Sequence, residues 1–174
     1  DSNTIFKPKK LLEKKIFLLY KNLNNEIKKN LFFKMRITEK NYRNLLYQKF
    51  SNKLIKFVPG ENFFSKNFKV SIHTYFGSSF LESMINDIPS ILIIQNFDAN
   101  DKFTVNQLKV LKKYQIVFTS SKKASFFINK NWKQMNEWWN SKPVKSTREK
   151  FLENFGFHNN NLNNEILNFV SRIN

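Results

Sequence analysis

The stretch His73-Thr74-Tyr75-Phe76-Gly77-Ser78-Ser79-Phe80-Leu81-Glu82 gathers most of the residues in this 174-residue chain that could do chemistry together. A strand-like run ends at His73, a Gly-Ser turn follows, and apolar residues at helical spacing come next. Gly77 lets backbone approach a ligand. Ser78 and Ser79 set two hydroxyls beside the unpaired N–H groups of a helix start, where an anion is favoured. The chemistry predicted is phosphate binding. The same residues also fit ordinary N-capping, with Ser78 or Ser79 satisfying the first turn and Glu82 closing a capping box three residues after Ser79. The local pattern does not choose between the two.

Lys34 and Arg36 stand at the carboxyl end of an earlier apolar run, Leu31-Phe32-Phe33-Lys34-Met35-Arg36. They fit either neutralisation of a bound anion or solvated strand-end charge. Arg36 is the stronger candidate, because only four of the 30 basic residues are Arg and a guanidinium fork matches phosphate oxygens in pairs. Other constellations are thin. His73 and His158 lie far apart and there is no Cys, so no metal site is read. A Gly-x-Ser-x-Gly elbow, a Walker loop and a Gly-x-Gly-x-x-Gly fingerprint are all missing, and three Gly could scarcely build the last.

The elements that must position these residues follow from apolar periodicity. Leu11, Leu12, Ile16, Leu19, Leu23 and Ile27 make a helical stripe across 9–29, with Pro8 near its start. Strands are predicted at 31–36, 54–58, 68–73, 90–94 and 116–118. Helices are predicted at about 39–50, 80–85, 105–114 and 122–130, with a helical turn at 62–65. Ser120-Ser121 caps the helix at 122–130. Helices over 132–155 and 162–173 form a tail, broken by an Asn-rich stretch at 158–161. Strands alternating with helices predict an α/β fold: a doubly wound, Rossmann-like, mostly parallel five-stranded sheet flanked by helices, with a C-terminal helical tail. The chain reads as one domain over 1–174, its core at about 31–131 and its tail at 132–174. Ligands of such sheets sit beyond the carboxyl ends of the strands, where strand order reverses.

Composition sets the boundaries. The formal charge is +17, and 41% hydrophobic residues, with 20 Phe, argue for a folded core rather than disorder. Much of that charge is Lys in a chain also rich in Asn, so a solvated basic face is an ordinary reading of it. No apolar run approaches the ~18 residues of a membrane span; the longest, Ile88 to Ile94, is broken by Pro89 and Ser90. A soluble or peripheral protein is expected. Asp1-Ser2-Asn3-Thr4 has neither an initiator Met nor signal-peptide architecture, so the chain reads as cut from a longer one.

Tyr75 to Met84, followed by Asn86-Asp87-Ile88-Pro89-Ser90-Ile91, resembles the donor-domain signature of GT-B glycosyltransferases. The closer resemblance is to a family of bacterial surface-carbohydrate transferases. It rests on the strand ending in Lys34 and Arg36, the Ser-rich turn into Phe80-Leu81-Glu82, and Trp138-Trp139-Asn140-Ser141 ahead of Arg148 and Phe151. The match runs from about Leu31 to Phe157. It implies a nucleotide-activated sugar donor held between this domain and a missing N-terminal Rossmann-like domain, so that the fragment alone is inactive. Ser78 and Ser79, with Gly77, match the turn that contacts donor phosphate. Glu82 matches the acidic residue bonded to ribose or sugar hydroxyls, and Lys34 and Arg36 match residues that neutralise the leaving phosphates. His73-Thr74 stands where relatives carry Asp-His or His-Pro, so its nucleotide-binding role is set against that of a strand-ending histidine. The implied mechanism needs no metal or cofactor, since basic side chains and a helix N-terminus stabilise the leaving group. Trp138 and Trp139 fit base or sugar stacking, and better a clamp that packs the tail onto the sheet.

Three functions therefore compete. The leading one is the donor-binding half of a surface-polysaccharide glycosyltransferase, cytoplasmic or peripheral to the inner face of the bacterial membrane. The alternative is a basic nucleic-acid-binding α/β domain without catalysis, motivated by aromatics interleaved with Lys. Core-like spacing of most Phe argues against nucleic acid as partner. A third, compatible with the first, is docking to an anionic membrane surface through Lys.

Overall fold

An apolar run with no polar face to offer water needs cover on both sides, and in the computed structural model of the protein every residue of Ser90–Ile93 is buried. The structure describes residues 6–35, 54–56, 68–94 and 101–155, with side chains over 14–32, 68–94 and 101–155. In chain order the elements are α1 (Phe6–Asn22), α2 (Asn25–Lys29), β1 (Phe33–Met35), β2 (Leu54–Lys56), β3 (Ser71–His73), α3 (Ser78–Ile85), β4 (Ser90–Ile93), α4 (Lys102–Lys113), β5 (Val117–Phe118), α5 (Ser121–Asn131), α6 (Met135–Asn140) and α7 (Lys142–Asn154).

The fold is mixed α/β with parallel strands. All five expected strands occur, but not as the single five-stranded sheet read from the sequence. Among the described residues β1 pairs with β2, and β3, β4 and β5 form a separate three-stranded ladder in that order. No ladder bond joins β1 or β2 to β3 among the described residues, so one continuous sheet is not formed by them. The helix expected at 39–50, the turn at 62–65, the helix at 162–173 and Arg36 lie outside the described residues.

Strand alternation in β4 sorts the helices into two layers. Leu92 and Ile94 pack with Phe80 and Met84 of α3, Leu108 and Leu111 of α4, and Val144 and Phe151 of α7. Ile91 and Ile93 pack with Leu19 and Leu23 of α1, Ile27 of α2, and Ala124, Phe127 and Ile128 of α5. Thus α3 and α4, the two crossover helices, lie on one face, which carries the strand order forward in one direction. Leu19, Leu23 and Ile27 at one end, and Trp139, Val144 and Phe151 at the other, extend the core beyond the 31–131 span on both sides.

Two expected helices are broken. The stripe over 9–29 divides at Leu23-Asn24, where Asn24 is extended (φ −66°, ψ 156°) and its N–H donates to Asn129 Oδ1 at 2.9 Å. The 132–155 helix divides at Ser141 (φ −59°, ψ 140°), with a proline, Pro143, in the first turn of α7. Asn and Ser favour caps over helix interiors, which is why the breaks fall there.

Both crossover helices end in a Schellman motif closed without glycine. After α3, Ile88 N–H donates to Ser83 O and Asp87 N–H to Met84 O; after α4, Ile116 N–H donates to Leu111 O and Gln115 N–H to Lys112 O. The left-handed residues are Asp87 (φ 55°) and Gln115 (φ 64°). Asp87 has a second task. Its carboxylate accepts from Trp139 Nε1 at 2.9 Å and from Arg148 Nη1, and the Arg148 guanidinium lies 4.3 Å from the Trp139 ring centroid. The tail is pinned to the turn between α3 and β4 by this contact, and Trp139 is buried within it. The clamp role read for the tryptophans is the one the geometry displays; Trp138 packs edge-on against Phe127 of α5 at 4.9 Å.

Opposite outcomes are expected at the two left-handed caps. Gln115 is exposed, so Gln115→Gly should raise unfolding free energy by about 0.5–1 kcal/mol, the left-handed penalty less the entropy cost of glycine, read by urea denaturation. Asp87→Ala should lower it by about 1–2 kcal/mol, because the buried Arg148 guanidinium and the Trp139 indole N–H lose an acceptor that itself stands open to water.

Candidate functional site

The pleat of β3 decides which residues meet at its carboxyl end. Val70 and Ile72 face the α1/α5 layer, so Ser71 and His73 turn toward α3. Ser71 Oγ lies 2.8 Å from His73 Nε2, and Ser79 Oγ, on the first turn of α3, lies 3.5 Å from His73 Nδ1. Ser83 Oγ, one turn further along, donates to Ser79 O at 2.9 Å and approaches Ser71 Oγ at 3.4 Å. The imidazole edge meets the buried Phe80 ring at a centroid distance of 5.4 Å. His73 is therefore held between a strand serine and a helix serine, with its ring fixed against an aromatic wall.

The start of α3 corrects the capping-box expectation. Gly77 is the N-cap and, among the described residues, no side chain is seen to accept from the first-turn N–H groups. Phe80 N–H turns back to Gly77 O at 3.0 Å. Ser79 is drawn toward His73 rather than to the backbone, and Ser78 is exposed. Glu82, one turn beyond Ser78, lies on the exposed side of α3, and no hydrogen bond joins its carboxylate to the helix start among the described residues. The helix opening thus keeps its favourable potential for an anion.

Gly77 itself is extended (φ −176°, ψ −177°), a conformation open to any residue. Its lack of a side chain serves a different purpose: a Cβ there would stand 2.8 Å from Tyr75 Cε2. The Tyr75 ring, 61% exposed, rests over the glycine at the mouth of the turn.

A cation reaches the same place from the other layer. Lys15 Nζ of α1 donates to Thr74 O at 3.4 Å, and partial burial lowers its pKa from the ordinary lysine value. A desolvated ammonium gains from a nearby anion, which would restore the charged form. Sequence reading missed Lys15 among so many lysines. The signal was its position one turn after Leu11 and one turn before Leu19, inside the apolar stripe. Ser71 and Ser83 were missed too, although their spacings from His73 and Ser79 are those of one strand face and one helix face. Of the residues singled out from sequence, His73, Thr74, Gly77, Ser78 and Ser79 share this turn. Lys34 lies in the middle of β1, its side chain outside the described set, as is Arg36. Among the described residues no group of His, Asp or Glu is arranged to hold a metal ion, and no helix is long and apolar enough to cross a membrane.

A parallel sheet layered by helices, with an open helix start, a serine-bracketed histidine and a lysine at the carboxyl end of a strand, defines an α/β protein suited to binding anions at the sheet edge. A model of the LIC12162 family transferase matches residues 6–170, and the chain belongs to that family; it is a transferase. No curated protein and no solved structure matches the chain significantly.

Gly77→Ser tests how the turn divides stability from binding. A serine N-cap should raise stability by only about 0.3 kcal/mol, since glycine is itself a fair N-cap and the exposed Tyr75 ring must move. Thermal denaturation reads this directly, and a lower melting temperature would mean the ring is locked in place.

Proposed function

We propose that the chain is the donor-binding domain of a nucleotide-sugar-dependent glycosyltransferase of GT-B type, acting in bacterial surface-polysaccharide synthesis. The observation that carries this reading is the N-terminus of α3, uncapped by a side chain among the described residues and flanked by Ser79, His73 and Lys15. Family membership supports transfer chemistry, and the site supports an anionic donor.

In this reading β2-β1 and β3-β4-β5 continue one doubly wound sheet. The two ladders then diverge from a switch point between β1 and β3, with Lys34 on β1 and Arg36 next after it in sequence. The donor phosphates rest on the Ser78 and Ser79 N–H groups and hydroxyls. Lys15, Lys34 and Arg36 take up negative charge as the glycosidic bond to the nucleotide breaks, a metal-independent form of leaving-group stabilisation. Glu82 accepts from ribose or sugar hydroxyls, and His73-Thr74 lines the nucleotide. A second, N-terminal domain supplies the acceptor side and the base, so this domain binds donor without turning it over.

Isothermal titration with CMP, CDP, UDP, GDP and a short single-stranded oligonucleotide tests the reading. Saturable binding of one nucleotide is expected, weakened about tenfold or more by Ser78→Ala/Ser79→Ala and by Lys15→Met, in line with the loss of a charge-assisted bond. A salt-steep oligonucleotide signal indifferent to those substitutions, with no nucleotide response, would instead assign the chain to nucleic-acid binding.

A further inference from the structure

Gly77 poses a question that its own backbone does not answer. It is extended, which any residue tolerates, and it occupies the N-cap of α3, where Ser, Asn and Asp are the better caps. What the missing side chain makes room for is one ring. Beyond the chain neighbours, the three heavy atoms nearest a Cβ at 77 all belong to Tyr75: Cε2 at 2.8 Å, Cδ2 at 3.3 Å and Cζ at 4.0 Å.

That ring contributes little to the fold. Tyr75 is 61% exposed, and among the described residues its side chain makes no hydrogen bond and meets no other ring. Phe76, the next residue, does the opposite and packs against Phe80, Phe151 and Phe155. The backbone on either side of Tyr75 is held. β3 sets His73 opposite Leu92, Lys15 Nζ donates to Thr74 O at 3.4 Å, and Phe76 rests on the core. A helix cap left as glycine to seat a ring that the core does not use departs from local stability, and such departures mark functional positions.

The position narrows the ligand. Gly77 O accepts from Phe80 N–H at 3.0 Å, so the ring seated on Gly77 borders the opening formed by the Ser78 and Ser79 N–H groups. The face of an aromatic ring is its negative side, which repels a phosphate and attracts the C–H edge of a neutral group. Ring and helix start therefore suit different parts of one molecule: an anion on the N–H groups and, bonded directly to it, a ring bearing C–H bonds. A nucleobase is set apart from its phosphate by the whole ribose. A sugar esterified to the phosphate lies next to it, within reach of a ring seated on the cap residue.

We propose that Tyr75 is a specificity residue of the α3 site, stacking its open face on the sugar esterified to the bound phosphate, so that the site takes sugar phosphates in preference to phosphate alone. This rests on the donor-binding reading and deepens it by naming the group recognised beside the phosphate. The ribose of a nucleotide and a transferred sugar share that chemistry.

NMR titration of the full chain with inorganic phosphate, ribose-5-phosphate and glucose-1-phosphate tests it, and the two esters distinguish the nucleotide's sugar from the transferred one. At least one ester is expected to bind about fivefold or more tighter than inorganic phosphate. Tyr75→Ala should bring that ester to within about twofold of inorganic phosphate and leave inorganic phosphate itself unchanged, whereas Tyr75→Phe should keep the preference. Gly77→Ala keeps the ring but displaces it, and should lose the preference with unchanged far-UV circular dichroism. Equal binding of the esters and inorganic phosphate by the unaltered chain would overturn the proposal, as would a preference that survives Tyr75→Ala or an equal loss of inorganic phosphate in that variant. In each of those cases phosphate binding weakened by Ser78→Ala/Ser79→Ala would leave the donor-binding reading standing. No binding of any of the three compounds would overturn both.

Discussion

A strand with no face toward water obliges the rest of the chain to supply two apolar layers, and β4 imposes that demand here. Ile91 and Ile93 require one set of helices, Leu92 and Ile94 another, and every described helix belongs to one side or the other or joins the tail to them. The functional turn inherits its geometry from this division. Because β3 pairs in parallel with β4, Ile72↔Ile91 and His73↔Leu92, its alternate side chains are committed in the same way. His73 consequently faces α3 rather than α1, and Lys15 has to come in from the opposite layer to the carbonyl of Thr74.

The sheet keeps its two ends for different purposes. At the amino end of β4, Asp87 gathers Trp139 and Arg148 and thereby fastens the C-terminal tail to the crossover. At the carboxyl end of β3, the polar groups of Ser71, His73, Ser79 and Ser83 meet one another while the first turn of α3 stays uncapped. A helix start without a side-chain cap lowers stability, and the burial of Trp139 at the far end contributes in the other direction.

Much of this was legible in the sequence, for identifiable reasons. The five strands were found because each is a short apolar run closed by turn residues, and α4 and α5 because their apolar spacing is regular. Asn24 and Ser141 were not seen as breaks, since apolar periodicity continues through both while the cap that ends the helix depends on tertiary partners such as Asn129. Five strands in the expected order do not by themselves specify how many ladders they form, and two are seen among the described residues. In the turn, one assignment differs. Ser79 and Glu82 have the spacing of a capping box, yet Ser79 goes to His73, a strand residue six positions earlier whose orientation only the pleat determines. The Asp87–Trp139–Arg148 contact spans 52 and 61 residues, a pairing that local pattern has no means to propose.

The Asn129 bonds to the end of α1 join residues 105 and 107 apart in sequence. α1 leaves a ribosome well before the surface that covers Leu19 and Leu23, which includes α5, made more than a hundred residues later. At about 5–20 residues per second, that leaves roughly 5–20 s in which the helix must wait with its apolar stripe uncovered. Lysines on its remaining faces would keep nascent chains apart during that interval. The basic character of α1 thus has a use in the order of synthesis, before any finished surface exists.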